Sequence, residues 1–446
     1  MDYASLRLVH AHNADQSAVA GQFELASHNV EGIDMTIFTC RFCSADLTDT
    51  VVDLGASPLA NSYIDLDKTQ RAEAFFSLHT YVCAQCYLVQ VPPMAAREDI
   101  FDSDYAYFSS YSASVLDHAR RYVDQIMDRF AFTDSHQVIE VASNDGYLLK
   151  NFKERGIPVL GIEPSGNVAA VAEAAGIPSR VQFFGVETAK QLVGEGIKAD
   201  LLIGNNVLAH VPDINDFVAG IKTVLAPTGV VTIEFPHLLK MLELNYYDTI
   251  YHEHYSYLSL YCVEKIFKHH GLTIFDVDEI KPQGGSLRIY ARHTDDVSNP
   301  LSDRVAALRS REIKGGVNSL ARYKAFADQV HRTKRELLKF LFEAKENKKT
   351  VVAYGAPAKG NTLLNFCGIK TDLIDYTVDV SPHKQDRLLP GTRIPIYAPS
   401  KIAETKPDYV LILPWNIKDE IVSQMKDIAS WGGKFVVPLP GVEVLA

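Results

Sequence analysis

Between Ile250 and Tyr257 the chain reads Ile-Tyr-His-Glu-His-Tyr-Ser-Tyr, which places three phenols, two imidazoles and one carboxylate within eight residues. Imidazole titrates nearest neutral pH. A histidine held at one ring nitrogen can therefore take a proton from a carbon or a hydroxyl through the other. His254 is the candidate base, with Glu253 beside it to fix the tautomer. The bland alternative is an aromatic-rich strand or loop with hydrogen-bonded core histidines; it explains one histidine more readily than the whole cluster.

A second chemistry is carried by cysteine. Four of the six cysteines fall as Cys40-x-x-Cys43 and Cys83-x-x-Cys86, two knuckles separated by 39 residues. Each pair can converge its thiolates on one ion, and two pairs complete a tetrahedral zinc shell. Two disulfides are the alternative, but nothing in residues 1–35 resembles an export signal. A closed four-cysteine site has no open coordination position, so this zinc is expected to stiffen a small β-rich module and take no part in the reaction. Cys262 and Cys367 read as ordinary buried thiols.

The elements that must position these groups alternate apolar strand, polar turn and helix. Gln137–Val141 runs into Ala142-Ser143-Asn144-Asp145-Gly146, and a second strand from Pro158 ends in Glu163-Pro164-Ser165. A buried strand entering a turn of ligand-facing amides, followed by an acidic residue that can accept from both ribose hydroxyls, is how a doubly wound sheet presents its carboxyl edge to an adenosine-bearing cofactor. Ala142 and Asn144 replace glycines of GxGxxG, which disfavours a dinucleotide and leaves S-adenosylmethionine. Glu140, Ser143, Asn144, Asp145, Gly146, Glu163 and Pro164 are thus candidate cofactor residues. Asn205, Asn206 and His210 follow a further strand at the same edge; helix capping is the alternative for the asparagines. Upstream, the polar-aromatic segment 101–114, with Tyr105, Tyr107 and Tyr111, reads as a lid or as a surface linker.

After residue 300, an amphipathic helical stretch over 301–347 leads into Thr350–Tyr354 and a glycine turn, Gly355 to Asn361. Lys359 and the amides opening the next helix could hold a pyrophosphate. Strands at 376–379 and 408–413 complete a second α/β sheet.

Composition sets outer bounds. With 446 residues, 47% hydrophobic and 22% charged, the length predicts about three domains of an ordered protein. A net charge of −11 disfavours a nucleic-acid surface. No apolar run reaches membrane-spanning length, so a cytoplasmic location is expected, with no membrane and no obligate protein partner evident.

The double Cys-x-x-Cys, YAYFSSYS, EVASNDGYLL, NNVLAHVPD, YHEHYSY, QGGSLR, AYGAPAKGNTLLN and PGTRIPI, in this order from Cys40 onward, resemble the nucleotide-sugar C-methyltransferases. The resemblance implies a zinc-containing, S-adenosylmethionine-dependent enzyme that adds a branch methyl, at C3 or C5, to a 4-keto-6-deoxy nucleotide sugar. It further implies that Tyr105, His210 and Tyr251 line the sugar pocket. Gln283, Gly284, Ser286, Tyr354, Lys359, Asn361, Asp379 and Lys384 would bind the nucleotide sugar. Ala142 stands where glycine is the commoner residue, which suits a turn position with negative φ. The expected organisation is an extension (1–35), a zinc module with its lid (36–110), a class I methyltransferase core of Rossmann-like type (111–298) and a C-terminal Rossmann-like α/β domain (299–446). Sugar O-methylation and a silent nucleotide-sugar-binding protein are the alternatives.

Overall fold

A computed structural model describes residues 27–30, 33–36, 38–94 and 108–445, so the expectations for Tyr105, Tyr107 and most of the N-terminal extension lie outside the described residues. The chain divides into two compact units, residues 1–38 and 39–446. In the first, Ser27–Val30 pairs antiparallel with Ile33–Thr36.

The second unit opens with the zinc module. Strands β1 (Asp49–Ser57), β2 (Phe76–Val82) and β3 (Val89–Gln90) pair antiparallel, and Ser256–Tyr257 from the His/Tyr cluster adds a fourth strand beside β3. Helix α1 (Ala113–Phe130) starts where the Ser112 side chain accepts from the Val115 amide, and it buries Ala119, Tyr122, Val123 and Ile126 at helical spacing.

It leads into a seven-stranded sheet of β4 (Val138–Val141), β5 (Val159–Ile162), β6 (Ser179–Arg180), β7 (Ala199–Asn205), β8 (Leu225–Pro236), β9 (Leu272–Ile280) and β10 (Ser286–His293). The order is β9-β10-β8-β7-β4-β5-β6, with β10 antiparallel to both neighbours. Strands β4 and β5 are buried along their whole length, as a parallel sheet covered by helices requires. This is the Rossmann-like core expected from the strand-turn-helix alternation. Strand β6 spans only two residues because the chain turns at Gln182, whose amide donates to the Arg180 carbonyl.

The stretch 301–347 is two helices, α2 (Asp303–Lys314) and α3 (Leu320–Glu346), broken at Gly316 with φ 84°. The C-terminal sheet follows, from β11 (Val351–Tyr354), helix α4 (Ala358–Cys367), β12 (Thr377–Val378), β13 (Ile396–Tyr397), β14 (Tyr409–Ile412), β15 (Lys434–Val437) and β16 (Glu443–Leu445). Its order is β13-β12-β11-β14-β15-β16, parallel except for the last pair.

One hydrophobic core joins segments far apart in sequence. Val51, Leu78 and Val89 of the zinc module pack in the same cluster as Leu242, Tyr247 and Ile250, as Phe326 and Leu337 of α3, and as Val351 and Leu411 of the C-terminal sheet. The two ends of unit two are thereby built around a shared interior.

Candidate active site

The four cysteine sulfurs converge: all lie within 4.8 Å of one another, with Cys40–Cys86 and Cys43–Cys83 each at 3.5 Å. A tetrahedral zinc with bonds of about 2.3 Å sets its sulfurs about 3.8 Å apart, so the cluster fits one ion. Gln90, which the spacing argument did not single out, supports it: its Nε2 donates to Cys40 Sγ and its Oε1 accepts from the Arg41 amide.

At the end of β4, Ala142, Asn144 and Gly146 adopt φ of 56°, 51° and 76°. The expectation of a negative φ at Ala142 is corrected: its amide and that of Ser143 both donate to the Ile162 carbonyl, folding the turn onto β5 and forcing the left-handed region. An L-residue there costs about 1–2 kcal/mol, which explains a preference for glycine. Glu163 stitches the two turns together, since its Oε2 accepts from the Asn144 amide and its Oε1 from the Ser165 amide, while burial raises its pKa. Pro164 lies between these bonds. Glu140 is buried, and its Oε2 meets no hydrogen-bond partner among the described residues. Burial, then the charges of Glu163, Asp145 and Glu234, lift its pKa well above the ordinary range. An orphaned acceptor in an acidic crevice suits a cationic, donor-rich cofactor.

Asn205 ends β7 opposite Glu234, and Asn206 turns left-handed (φ 55°) as its amide donates to the Glu234 carbonyl. Glu234 itself is buried, yet His118 at 2.9 Å and Arg288 at 2.6 Å hold it ionised, below its ordinary pKa. These three escaped the motif reading; the one clue was a glutamate ending a buried apolar strand. Asn144 and Asp145 are partly engaged, accepting from the amides of Ser109 and Ser110 at 2.8 and 3.0 Å.

The His/Tyr segment brings His210, Tyr251 and His254 together. The His254 ring lies 4.0 Å from that of Tyr251 and 4.7 Å from that of His210. All three are half-buried, whereas His252, Glu253, Tyr255 and Tyr257 are buried. His254 Nδ1–H donates to the Thr249 carbonyl at 2.8 Å, which leaves Nε2 as the unprotonated nitrogen. Thr249, not Glu253, therefore sets the tautomer. In this turn adjacent side chains diverge, and Glu253 Oε1 instead accepts from Asn61 Nδ2 at 2.6 Å. Burial, with His210 and Lys359 adding to it, keeps the His254 pKa well below its usual value, and burial takes His210 down to about 4. Burial pushes Glu253 up to about 7. His252 is the ordinary core histidine of the set, bonded to the Ser77 carbonyl and edge-on to Phe76.

At the edge of the C-terminal sheet Lys359 Nζ donates to Asn416 Oδ1 at 2.8 Å and lies 4.6 Å over the Trp415 ring. Gln283 and Gly284 form a positive-φ turn, and a Cβ on Gly284 would come within 2.7 Å of Trp415. Ser286 Oγ donates to the Pro282 carbonyl. Asp379 accepts from the amides of Ala356 and Ser381, while Lys384 and Tyr63 both donate to the Ala356 carbonyl. Asn361 and Tyr354, expected in a binding crevice, are buried, as are Ser286 and Asp379 of the same set. Asn361 Nδ2 donates to the Ala60 carbonyl, because α4 packs its first turn against the zinc module.

Residues 40–101, 115–277 and 281–440 match, in turn, families described as a zinc binding domain, a methyltransferase domain and a C-methyltransferase C-terminal domain. NovU, a C-methyltransferase of Streptomyces niveus, is 33% identical over 417 residues, spanning 94% of this chain and 99% of that protein. The chain belongs to the C-methyltransferase family. As a C-methyltransferase it uses S-adenosylmethionine as methyl donor and carries a zinc-binding module. An O-methyltransferase of ubiquinone biosynthesis from Rhodopseudomonas palustris is 25% identical over 97 residues, 22% of this chain and 38% of that protein. Among solved structures, magnesium protoporphyrin IX methyltransferase from Synechocystis is 15% identical, with a TM-score of 0.33, over 44% of this chain and 91% of that one. No helix among the described residues of this C-methyltransferase is long and apolar enough to cross a membrane.

Proposed function

We propose that this C-methyltransferase methylates C3 of a 4-keto-6-deoxy nucleotide sugar through an enolate, in the making of a branched deoxysugar. The observation that carries this is the half-buried His254, whose Nδ1–H is held by the Thr249 carbonyl and whose Nε2 is unprotonated at neutral pH. His254 Nε2 takes the C3 proton; the C–H electron pair becomes the C3–C4 double bond and the ketone oxygen gains the charge. Tyr251 and His210 stand beside that ring and would donate to the oxyanion. S-adenosylmethionine, when bound, would supply an electrophilic methyl: the enolate pair at C3 would form the new carbon–carbon bond as the methyl–sulfur bond breaks, its electrons staying on sulfur in the departing S-adenosylhomocysteine. His254 afterwards returns its proton to solvent. Glu163 would accept from the ribose hydroxyls and Glu140 from the amino group, with Asn205 and Asn206 at the adjoining strand end. Lys359 and Lys384 would face the diphosphate.

Buried carboxyl Glu253, pushed up to about 7, is the rival base, since that pKa suits proton abstraction at neutral pH. Mass spectrometry with a panel of 4-keto-6-deoxy nucleotide sugars tests the substrate class. Washing of solvent deuterium into C3 tests the base. With His254→Asn we expect exchange and methyl transfer to fall together by about 10²–10⁴. Exchange at the wild-type rate without methyl transfer would assign His254 to ketone binding and leave the base among Glu253, Tyr251 and His210.

A further inference from the structure

We propose that Asp248 is a positioning residue for the diphosphate site: it balances Lys359 across the Trp415 indole in the free enzyme and takes up a proton when the anionic substrate arrives. This rests on the reading above that Lys359 holds the diphosphate.

Asp248 is 1% exposed in the short turn Tyr247–Thr249, two residues before Ile250. Its Oδ2 accepts from Trp415 Nε1 at 2.7 Å, and its Oδ1 makes no hydrogen bond among the described residues. The face of the same indole carries the Lys359 ammonium at 4.6 Å, and Tyr246 is stacked on the ring at 3.7 Å between centroids. One rigid aromatic plate therefore touches an ammonium on its π-face and a carboxylate at its N–H edge, a polarised arrangement in which each charge supports the other. Gly284 lets the plate lie close, since a Cβ there would come within 2.7 Å of Trp415 and 3.0 Å of Tyr246.

The groups facing Asp248 are Lys359 from α4, the Trp415 N–H from beyond β14, its own amide and that of Thr249, and the phenols of Tyr246 and Tyr247. Burial raises both phenols, so neither ionises near neutral pH. Lys359 is then the counter-charge of Asp248, and burial pulls the lysine down while Asp248 pulls it back up. A diphosphate at Lys359 removes that balance. It brings negative charge close to a buried carboxylate whose pKa burial has already pushed to about 7, and protonation of Asp248 relieves the repulsion.

The test is calorimetry on the zinc-loaded full chain between about pH 6 and about pH 8, in buffers of different ionisation enthalpy. The probes are dTDP-glucose, UDP-glucose, CDP-glucose and GDP-mannose, whose phosphates are diesters that do not titrate in this range. Wild-type protein is expected to take up as much as about half a proton near pH 7 and to bind about three- to tenfold more weakly at the alkaline end. Asp248→Asn should abolish the uptake and flatten the pH dependence. Trp415→Phe, which removes the N–H donor but keeps a ring, should move the uptake to higher pH; it decides the matter if the Asn variant does not fold. A purely structural Asp248 would change melting temperature and leave the proton count alone.

No uptake in wild type, uptake surviving Asp248→Asn, or an uptake window unmoved by Trp415→Phe overturns the proposal. Lys359→Ala separates it from the reading beneath: tenfold weaker binding keeps Lys359 at the diphosphate whatever the proton count. Unchanged affinity, or no binding of any probe by wild type, overturns both.

Discussion

His254 and Glu253 are neighbours in sequence and opposites in environment. The imidazole is held by a backbone carbonyl and stays neutral; the carboxyl has lost water and keeps a single side-chain donor, Asn61. The consequence is a pH dependence of stability. The folded pKa of Glu253, about 7, lies above its ordinary value of 4.5, so its contribution is fully present below that value and is lost as pH rises through about 7. Glu253→Gln removes the ionisation and can keep a bond to Asn61. It should match wild type in urea unfolding near pH 4.5 and exceed it by on the order of 1–3 kcal/mol near pH 8. An equal difference at both pH values would show that Glu253 does not titrate in this range.

Two adjacent strands determine the shape of the turn at 142–146, the candidate cofactor site. Strand β5 can carry the Ala142 and Ser143 amides on its Ile162 carbonyl only if it passes close to the turn, and Gly161 allows that: a Cβ there would lie 2.4 Å from Ser143 Oγ. Gly161→Ala should therefore push the turn outward and weaken S-adenosylmethionine binding by about tenfold or more in calorimetry, with nucleotide-sugar affinity unchanged. Adding Ser143→Gly removes the nearest clashing atoms and should recover part of the loss. Failure of that rescue, in a double variant that folds normally, would mean that the steric contact does not shape the turn.

At the scale of the whole molecule the zinc module is part of the core. Val51, Leu78 and Val89 share an interior with α3 and the C-terminal sheet, and two further links reach the His/Tyr segment: Asn61 to Glu253, and the pairing of Ser256–Tyr257 with β3. Zinc removal by chelation, or Cys83→Ser, should lower the melting temperature by at least about 5 °C in one cooperative transition, because the metal holds strands against which the other segments pack. Activity should disappear along the same curve. Two separate transitions, with the C-terminal sheet melting at its wild-type temperature, would show that the module folds apart from the rest.

What could be read from sequence was whatever depends on residues close along the chain. The spacing of Cys40, Cys43, Cys83 and Cys86 identified a metal cluster, because two residues between thiols suffice to aim both at one ion. Buried apolar strands running into polar turns marked both sheets, because strand burial and turn chemistry are local. The groups that adjust the site were not legible. Thr249 is the orienting acceptor of His254 by virtue of a turn geometry that any residue's carbonyl could supply, so its side chain left no signal. Asn61 reaches Glu253 across 192 positions, and Asn361 turns inward to Ala60 across 301. Such pairings are set by how α4, the zinc module and the His/Tyr segment pack together; burial then moves Glu253, His210 and Asp248 away from their ordinary pKa values. Sequence spacing determined which chemical groups are available, and tertiary packing determined which of them lose water, the step that fixes their protonation and their partners.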